Sequence, residues 1–347
     1  MMVRSSKVHG EKSNDTDYLE GKDWISNLPD AILCHILSLM PTKNAVRTRI
    51  LSTRWKSLWA SVPIIDLRNY RKDDGPGSFM DFVDRVLLLH NSPNLTKFLL
   101  HSGCGDENPY RLNSWISTAI KRHVQELVLS ITSETIFELP RHLFTSIDLV
   151  VLKLSYGFSW SALTVSLPRL KVLRLWFLDF LDDAPSLETL ELEDELSSVF
   201  EVDELPALVK ANFSVWFHGD DYEGSDCHCN AVVRMLAKAS NVQHLWLDDT
   251  TLKDRKCCDM CLWGGAPVNV PICLSLSLEK LEFRGFSGCN KEMKLVQYLL
   301  ENAMVLKKLT LYSWSRNKKI KTDLQKYKRG SSTCQIEFRH QFSVEWL

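Results

Sequence analysis

A short apolar pattern, L-x-x-L-x-L, recurs along most of this chain and constrains its fold more than any other feature. A single copy cannot bury its own apolar side chains, so consecutive copies must stack on one another. The pattern therefore predicts a curved solenoid in which each copy contributes one strand to a shared parallel sheet. The copies begin at Leu95, Val124, Leu149, Leu170, Leu187, Val242, Leu278 and Leu306, and a degenerate copy begins at Leu208.

The spacing of these copies is irregular. Consecutive starts lie 17 to 36 residues apart, and several steps fall within the roughly 20 to 29 residues of leucine-rich repeats. The 17-residue step from Leu170 to Leu187 is too short for a strand, a return element and the next strand, so we expect a compressed or missing segment there. A doubly wound α/β domain would also place apolar strands about 30 residues apart, but no glycine-rich turn follows the first strand.

A different pattern, over residues 23–63, precedes the repeats and predicts three short amphipathic helices. Pro29 occupies the first turn of the first helix and Pro41 ends it, whereas Thr42 and Ser52 could cap the second and third helices. Three helices of this size cannot bury enough apolar surface among themselves. We therefore expect part of their apolar face to bind another protein. The alternative is a helical hairpin that packs only on its own chain.

The same stretch resembles the F-box of plant F-box proteins. The resemblance lies in LPD at Leu28, ILCHILSLMPTK from Ile32, LSTRW from Leu51 and SLW from Ser57. It implies binding to a small Skp-type adaptor and, through that adaptor, to a cullin ubiquitin ligase. The adaptor-binding positions that it implies are Leu28, Pro29, Ile32, Leu33, Ile36, Leu37, Leu39, Pro41, Val46, Leu51, Trp55 and Trp59.

Three later segments resemble the same family. FVDRVLLLH ends at His90, and WISTAIKRHVQELVL spans Trp115–Leu129. Residues 271–340 resemble the FBD region, through VPICLSLSLEKLEFRGFSGCNKEMKLVQYLLENAMVLKKLTLYS and STCQIEF. The apolar spacing there predicts four elements, and the last of them is a strand that covers the open edge of the solenoid. The predicted elements are strand 278–283, helix 291–302, strand 306–311 and strand 334–338.

These observations predict an α+β chain with an α/β repeat. A three-helix F-box comes first, an irregular leucine-rich-repeat solenoid follows it, and an FBD region caps the solenoid. Members of the resembling family usually carry further repeats, so this chain resembles a shortened member, either naturally short or altered by splicing. The expected boundaries are a disordered N-terminus over 1–22, the F-box over 23–63, the solenoid over 64–270, the FBD region over 271–340 and a tail over 341–347.

The composition limits which classes of partner and which cellular compartment we expect. A net charge of -1 over 347 residues argues against a protein that coats nucleic acid. No apolar run is long enough to cross a membrane, and the N-terminus has no apolar core of a secretory signal. Ten cysteines without such a signal indicate free thiols in a reducing compartment, so we expect the nucleus or the cytoplasm, with neither nucleic acid nor membrane as a partner.

An acidic segment is the first candidate for recognition of a client protein. Between Asp179 and Leu205 the chain has eleven acidic residues and no Lys or Arg. Glu188, Glu191 and Glu193 could line one rim of the sheet and attract a basic partner. The alternative is a solvated edge without a specific partner.

Two further clusters were weighed as sites. Cys227, Cys229, Cys258 and Cys261 could supply four sulfur ligands to zinc, but their irregular spacing favours a thiol-bearing loop, and we expect no metal or cofactor. The basic run over 316–329 could be a nuclear-import patch or a phosphate-contacting arm, although such a run is more often a surface loop.

No motif for catalysis is present. Phosphate-binding loops, dinucleotide-binding glycines, zinc-protease histidines and a nucleophile elbow are all missing from the sequence. Repeat solenoids offer broad surfaces instead of deep polar pockets. The sequence therefore predicts a non-catalytic substrate receptor of an SCF-type ubiquitin ligase. A leucine-rich scaffold that does not engage the ligase and a thiol or zinc enzyme are the alternatives.

Overall fold

The computed structural model describes most of the chain between residues 25 and 340. The described ranges are 25, 28–69, 76–103, 108–132, 137–155, 158–159, 166–175, 180–181, 185–195, 201–202, 204–216, 228–248, 269–313 and 318–340. The predicted disordered N-terminus over 1–22 and the predicted tail over 341–347 lie outside these ranges.

The described residues form helices and strands that alternate along most of the chain. The α-helices are α1 Asp30–Ser38, α2 Thr42–Arg47, α3 Trp55–Leu58, α4 Pro76–Leu89, α5 Pro109–Lys121, α6 His228–Lys238, α7 Ile272–Leu276, α8 Asn290–Asn302 and α9 Lys318–Lys326. The strands are β1 Ile64–Asn69, β2 Lys97–Ser102, β3 Glu126–Ile131, β4 Phe137–Glu138, β5 Val151–Ser155, β6 Phe158–Ser159, β7 Val172–Leu175, β8 Phe180–Leu181, β9 Thr189–Glu195, β10 Glu201–Val202, β11 Lys210–Trp216, β12 His244–Asp248, β13 Lys280–Arg284, β14 Lys308–Ser313 and β15 Gln335–His340.

Eleven of these strands form one parallel sheet whose spatial order follows the chain. The order is β1-β2-β3-β5-β7-β9-β11-β12-β13-β14-β15, and every neighbouring pair is parallel. A doubly wound domain would reverse its strand order at a switch point. No reversal occurs among the described strands, so that alternative is wrong.

The return segments change character along the sheet. Helices α4, α5, α6, α8 and α9 connect strands near the two ends. In the middle, the returns contain two-residue strands that pair in parallel with one another, β4 with β6 and β8 with β10. An extended residue advances about 3.3 Å and a helical residue about 1.5 Å, so an extended return needs fewer residues.

The extended return shows that the prediction about the 17-residue step was wrong. Strands β7 and β9 are direct neighbours, with Val172 opposite Thr189 and Leu175 opposite Leu192. The return between them is extended at β8 and contains no described helix. The step from Leu170 to Leu187 therefore holds a strand, a return and the next strand, contrary to expectation.

The core lies behind the sheet, where alternate strand residues point. Phe98 and Leu100 in β2 are almost fully buried, as are Leu127 and Leu129 in β3, whereas the residues between them are partly exposed. The first apolar residue of each copy of the repeat is also buried, from Leu95 to Leu306. The pattern L-x-x-L-x-L thus supplies a continuous stack of side chains one strand spacing apart.

The N-terminal helices begin differently from the prediction. Pro29 precedes α1 and Pro41 precedes α2, as the prolines indicated. Thr42 does not cap α2, since it is the first residue of that helix and its hydroxyl accepts a hydrogen bond from the Asp66 N–H at 2.8 Å. Ser52 does not cap α3, which begins after Arg54 without a side-chain cap. The Thr42 hydroxyl is thus used by a tertiary contact instead of by its own helix.

The C-terminal elements lie close to their predicted positions. Strand β13, helix α8 and strand β14 start within two residues of the predicted elements, and β15 pairs with β14 at the end of the sheet. The basic run was predicted to be a loop, but its centre forms α9. That helix contacts a tight turn, because a Cβ added to Gly288 (φ +77°) would lie 2.2 Å from the Ile320 side chain.

A buried carboxylate fixes the start of α8. Oε2 of Glu292 accepts hydrogen bonds from the backbone N–H groups of Ser287, Gly288 and Cys289 at 2.8, 2.5 and 3.3 Å. Burial raises the pKa of Glu292, whereas these hydrogen bonds and the one from the Ser287 hydroxyl oppose the rise. The carboxylate therefore satisfies the free N–H groups that precede the helix.

Within the described ranges, no helix combines the length and the apolar character that crossing a membrane requires.

We expect Leu152→Ala to lower the free energy of unfolding by about 2–5 kcal/mol, because the truncation leaves a cavity in the stack. Leu152 is only 1% exposed, and Lys153 beside it lies on the open face of the sheet. Lys153→Ala is the matched control and should change stability by less than about 0.5 kcal/mol. Urea unfolding of the full chain measures both, and equal losses would contradict the assignment of faces.

Candidate adaptor-binding and client-binding surfaces

The predicted adaptor-binding residues divide into buried and accessible groups. Leu33, Leu37, Trp55 and Trp59 are at most 7% exposed, because they pack against other residues of this chain. Leu28, Ile36 and Val46 are partly buried against the same core, and Pro41 has intermediate exposure. In this structure the buried side chains support the surface instead of forming it. Their contact with an adaptor stays a prediction.

The accessible group is small and apolar. Ile32 is 46% exposed, Leu39 75% and Leu51 63%, and Pro29 is also exposed. Ile50, which sequence reasoning missed, is 84% exposed. It directly precedes Leu51, and two adjacent apolar residues at the end of a short helix were the signal that could have found it. These side chains are the members of the predicted set, together with Ile50, that a partner can reach in this structure.

An arginine joins the starts of two helices beneath this surface. Arg54 donates from Nε and Nη2 to Oδ1 of Asp30 at 2.8 and 2.5 Å, and Nη2 also donates to the Leu28 carbonyl at 2.6 Å. The forked guanidinium thereby holds the beginning of α1 against the beginning of α3.

The N-terminal helices are also joined to the sheet by backbone hydrogen bonds. The N–H of Asn91 donates to the Ala60 carbonyl at 2.9 Å, and the N–H of Thr96 donates to the Pro63 carbonyl at 2.8 Å. Together with the bond from Asp66 to Thr42, they connect the helices to the first two strands. The orientation of the helices relative to the sheet is therefore fixed by several contacts.

A buried histidine completes this junction. His90 Nε2 lies 2.7 Å from the Val62 carbonyl, and Nδ1 lies 3.1 Å from Arg122 Nη1. A carbonyl only accepts and a guanidinium only donates, so the imidazole is neutral with its proton on Nε2. Burial lowers the pKa of His90, the bond to Val62 opposes this, and Arg122 lowers the pKa further.

The predicted acidic rim is largely neutralised by the preceding strand. Glu188 forms an ion pair with Lys171 at 2.7 Å, and Glu191 lies 3.2 Å from Nε of Arg174. Glu193 lies in β9, but its side chain is not among the described ones. Sequence reasoning counted the charges along the chain and missed these partners on the neighbouring repeat. A client-binding role for the glutamates stays a prediction.

A hollow of about 330 Å³ opens on the same face of the sheet. It lies across β9, β11, β12 and β13, and its lining includes Lys210, Asn212, Trp246 and Arg284. Glu191, which the sequence singled out, also lines this hollow, whereas these four residues were not singled out from the sequence. All occupy non-leucine positions of the strands, so the alternation of the repeat could have assigned them to the open face.

The proposed zinc ligands cannot be placed. Cys227, Cys258 and Cys261 lie outside the described residues, and Cys229 lies at the start of α6 without a described side chain. Among the described residues, no group of three or more His, Cys, Asp or Glu side chains could hold a metal ion.

Comparison with known proteins identifies two modules. Residues 25–67 match the F-box domain model, and residues 266–311 match the FBD model. The F-box/FBD/LRR-repeat protein At5g22660 of Arabidopsis thaliana is 28% identical over 435 aligned positions, which cover 91% of this chain and 96% of that protein. The chain therefore carries matches to the F-box and the FBD region, the two modules after which its Arabidopsis relatives are named. F-box proteins of this kind generally act as non-catalytic substrate adaptors of SCF ligases.

Further relatives support the same family. The Arabidopsis F-box/LRR-repeat protein At4g14103 is 36% identical over 258 residues, which cover 67% of this chain and 64% of that protein. The alignment with At5g22660 has more positions than the 347 residues of this chain. That relative therefore contains segments that this chain lacks, in agreement with the prediction of a shortened member.

We expect His90 to make the folded chain lose stability on acidification. Because its pKa is lowered in the folded state, the unfolded state binds more protons, and stability falls as the pH drops below about 6.5. His90→Gln should reduce the loss between neutral pH and pH of about 5.5. Urea unfolding at both pH values measures this loss of stability. The control is His35→Gln, which replaces an exposed histidine. An unchanged pH dependence in His90→Gln would contradict the neutral, buried imidazole.

Proposed function

We propose that this chain is a substrate-recognition subunit of an SCF-type cullin ubiquitin ligase. The F-box domain binds a Skp-type adaptor, and the open face of the sheet binds a client protein for ubiquitination. The match of residues 25–67 to the F-box model carries the proposal. The exposed apolar side chains of Ile32, Leu39, Ile50 and Leu51 in that domain support it.

Exposed apolar side chains become favourable when a partner removes them from water. Fully burying a leucine or isoleucine side chain contributes about 1.5–3 kcal/mol. The buried Leu33, Leu37, Trp55 and Trp59 would act indirectly, because they hold the helices that carry the exposed side chains. The proposed adaptor surface therefore consists of accessible contacts on a packed support.

The eleven-stranded parallel sheet is, in this proposal, the leucine-rich-repeat solenoid. Each copy contributes one strand, and the FBD region supplies the last strands of the sheet. In such a receptor the chain supplies no reacting group. It raises the effective concentration of a client lysine near the conjugating enzyme. A nuclear or cytoplasmic location, where the ligase partners and free thiols coexist, is part of the proposal.

A leucine-rich scaffold outside any ligase is the alternative, and adaptor binding separates the two. We expect the double variant Ile50→Ala with Leu51→Ala to bind purified Skp-type adaptor with a free energy weaker by about 2 kcal/mol, on the order of thirty-fold in Kd. The control is Leu88→Ala, which removes an equally exposed leucine from α4. Isothermal titration with the full chain gives each Kd.

Folding must be checked beside affinity in this experiment. The variants should retain the circular dichroism and the unfolding midpoint of the original chain, because Ile50, Leu51 and Leu88 are exposed. No adaptor binding by the folded original chain would reject the receptor function in favour of the scaffold. Equal affinities of the double variant and the control would reject the proposed surface.

A further inference from the structure

We propose that the open face of strands β11 to β13 binds an acidic segment of the client protein. The proposal rests on the receptor function above and specifies the chemistry of the client. It reverses the sign of the client charge that the acidic run of the sequence suggested.

Three exposed cations on this face carry the proposal. Lys210, Lys280 and Arg284 lie at non-leucine positions of β11 and β13, and no carboxylate among the described residues forms an ion pair with them. Several other cations of the sheet are paired, as Lys308 is with Glu337 at 2.6 Å and Arg174 is with Glu191 at 3.2 Å. Cations without a partner remain available to an incoming carboxylate.

The register of the strands sets the spacing of these cations. Lys210, His244 and Lys280 are direct register partners on three adjacent strands. The two lysines are therefore separated by two strand spacings, roughly 10 Å. In an extended peptide, residues two positions apart point to the same side and lie about 6.7 Å from each other. The long lysine side chains can span the remaining difference, so a segment with acidic residues two positions apart would reach both lysines.

The hollow adds an aromatic surface beside the cations. Lys210, Arg284, Asn212 and Trp246 all line it. The partly exposed Trp246 ring is tilted by 40° against His244, with the ring centroids 5.7 Å apart. A volume of about 330 Å³ admits one or two side chains. The indole can pack against the aliphatic part of a bound Glu, while the Asn212 amide offers a hydrogen-bond donor.

The histidine in the row remains without charge. Burial lowers the pKa of His244, and the positive charges of Lys280 and Lys210 lower it further, while Glu279 and Glu282 oppose this. The neutral ring can share a hydrogen bond with the bound segment.

The remaining carboxylates limit the size and nature of the partner. Glu191 also lines the hollow but is ion-paired with Arg174. Asp248 takes part in another interaction, and among the described side chains of β11 to β13 this leaves Glu282. A long polyanion such as nucleic acid would meet these carboxylates and a chain of net charge -1. A short segment with few acidic residues fits the local arrangement better.

A displayed library of random dodecapeptides tests the proposal with the full-length chain. We expect selection on the original chain to enrich Asp and Glu at positions two apart. One enriched peptide is then labelled, and its Kd is measured by fluorescence anisotropy beside that of its copy with Gln and Asn in place of Glu and Asp. The acidic peptide should bind at least about tenfold more tightly than its Gln and Asn copy. Its affinity should fall when the salt concentration is raised.

The variants assign this binding to the face. Lys210→Gln combined with Arg284→Gln should weaken the acidic peptide at least about tenfold, since two charge-assisted contacts are lost. Trp246→Ala should also weaken it. The control Lys153→Gln removes a cation from the same face at β5, outside the hollow, and should leave the Kd unchanged.

Several results would overturn the proposal. These are enrichment of basic or uncharged peptides, no enrichment, or an acidic peptide that binds the double variant as well as the original chain. Tighter binding of single-stranded DNA at the same residues would replace the peptide with nucleic acid. Displacement of the peptide by an equimolar small dicarboxylate would indicate a small-molecule site.

Adaptor titration with the same double variant separates this proposal from the receptor function. Lys210 and Arg284 lie far along the chain from the F-box domain, so adaptor affinity should be unchanged. Loss of peptide binding with intact adaptor binding supports both proposals. Peptide binding without adaptor binding by the original chain would remove the receptor function and leave an acidic-peptide scaffold.

Discussion

The burial of leucines between successive repeats is the constraint on which the rest of this structure depends. A strand such as β3 covers the apolar side chains of β2 and is covered in turn by β5. This dependence forces the strands into chain order and makes the sheet parallel, since every copy enters from the same side. The residues between the leucines point to the opposite face, where they are partly exposed and are not part of the buried core.

The open face can therefore vary in charge without cost to the core. Its ion pairs run across strands, from Lys171 to Glu188 and from Arg174 to Glu191. Such pairs are partly exposed, and each contributes little to stability. Their importance lies in which charges they remove from the surface. Lys210, Lys280 and Arg284, which form no ion pair with a described carboxylate, are then the cations through which the face would attract an acidic partner.

The sequence predicted the strands well because the leucines of the repeat are the buried residues of each strand. It failed where the outcome depends on neighbours in space: the hydroxyl of Thr42 bonds to Asp66 instead of its own helix, and the short step before Leu187 is bridged by an extended return. For the F-box surface, the motif named the residues but could not separate the buried Trp55 from the exposed Leu51. Apolar character is common to both, and only the packed chain distinguishes them.

The strand order also gives the molecule a scale. Because the helices are joined to β1 through Asp66, and β12 follows seven strands later, the hollow lies roughly 30–35 Å along the sheet from that junction. Each repeat gained or lost between them would move the hollow by about 4.8 Å and turn it by about 20–25°. In this architecture, insertion or deletion of a repeat changes both the distance and the orientation of a bound partner relative to the N-terminal helices.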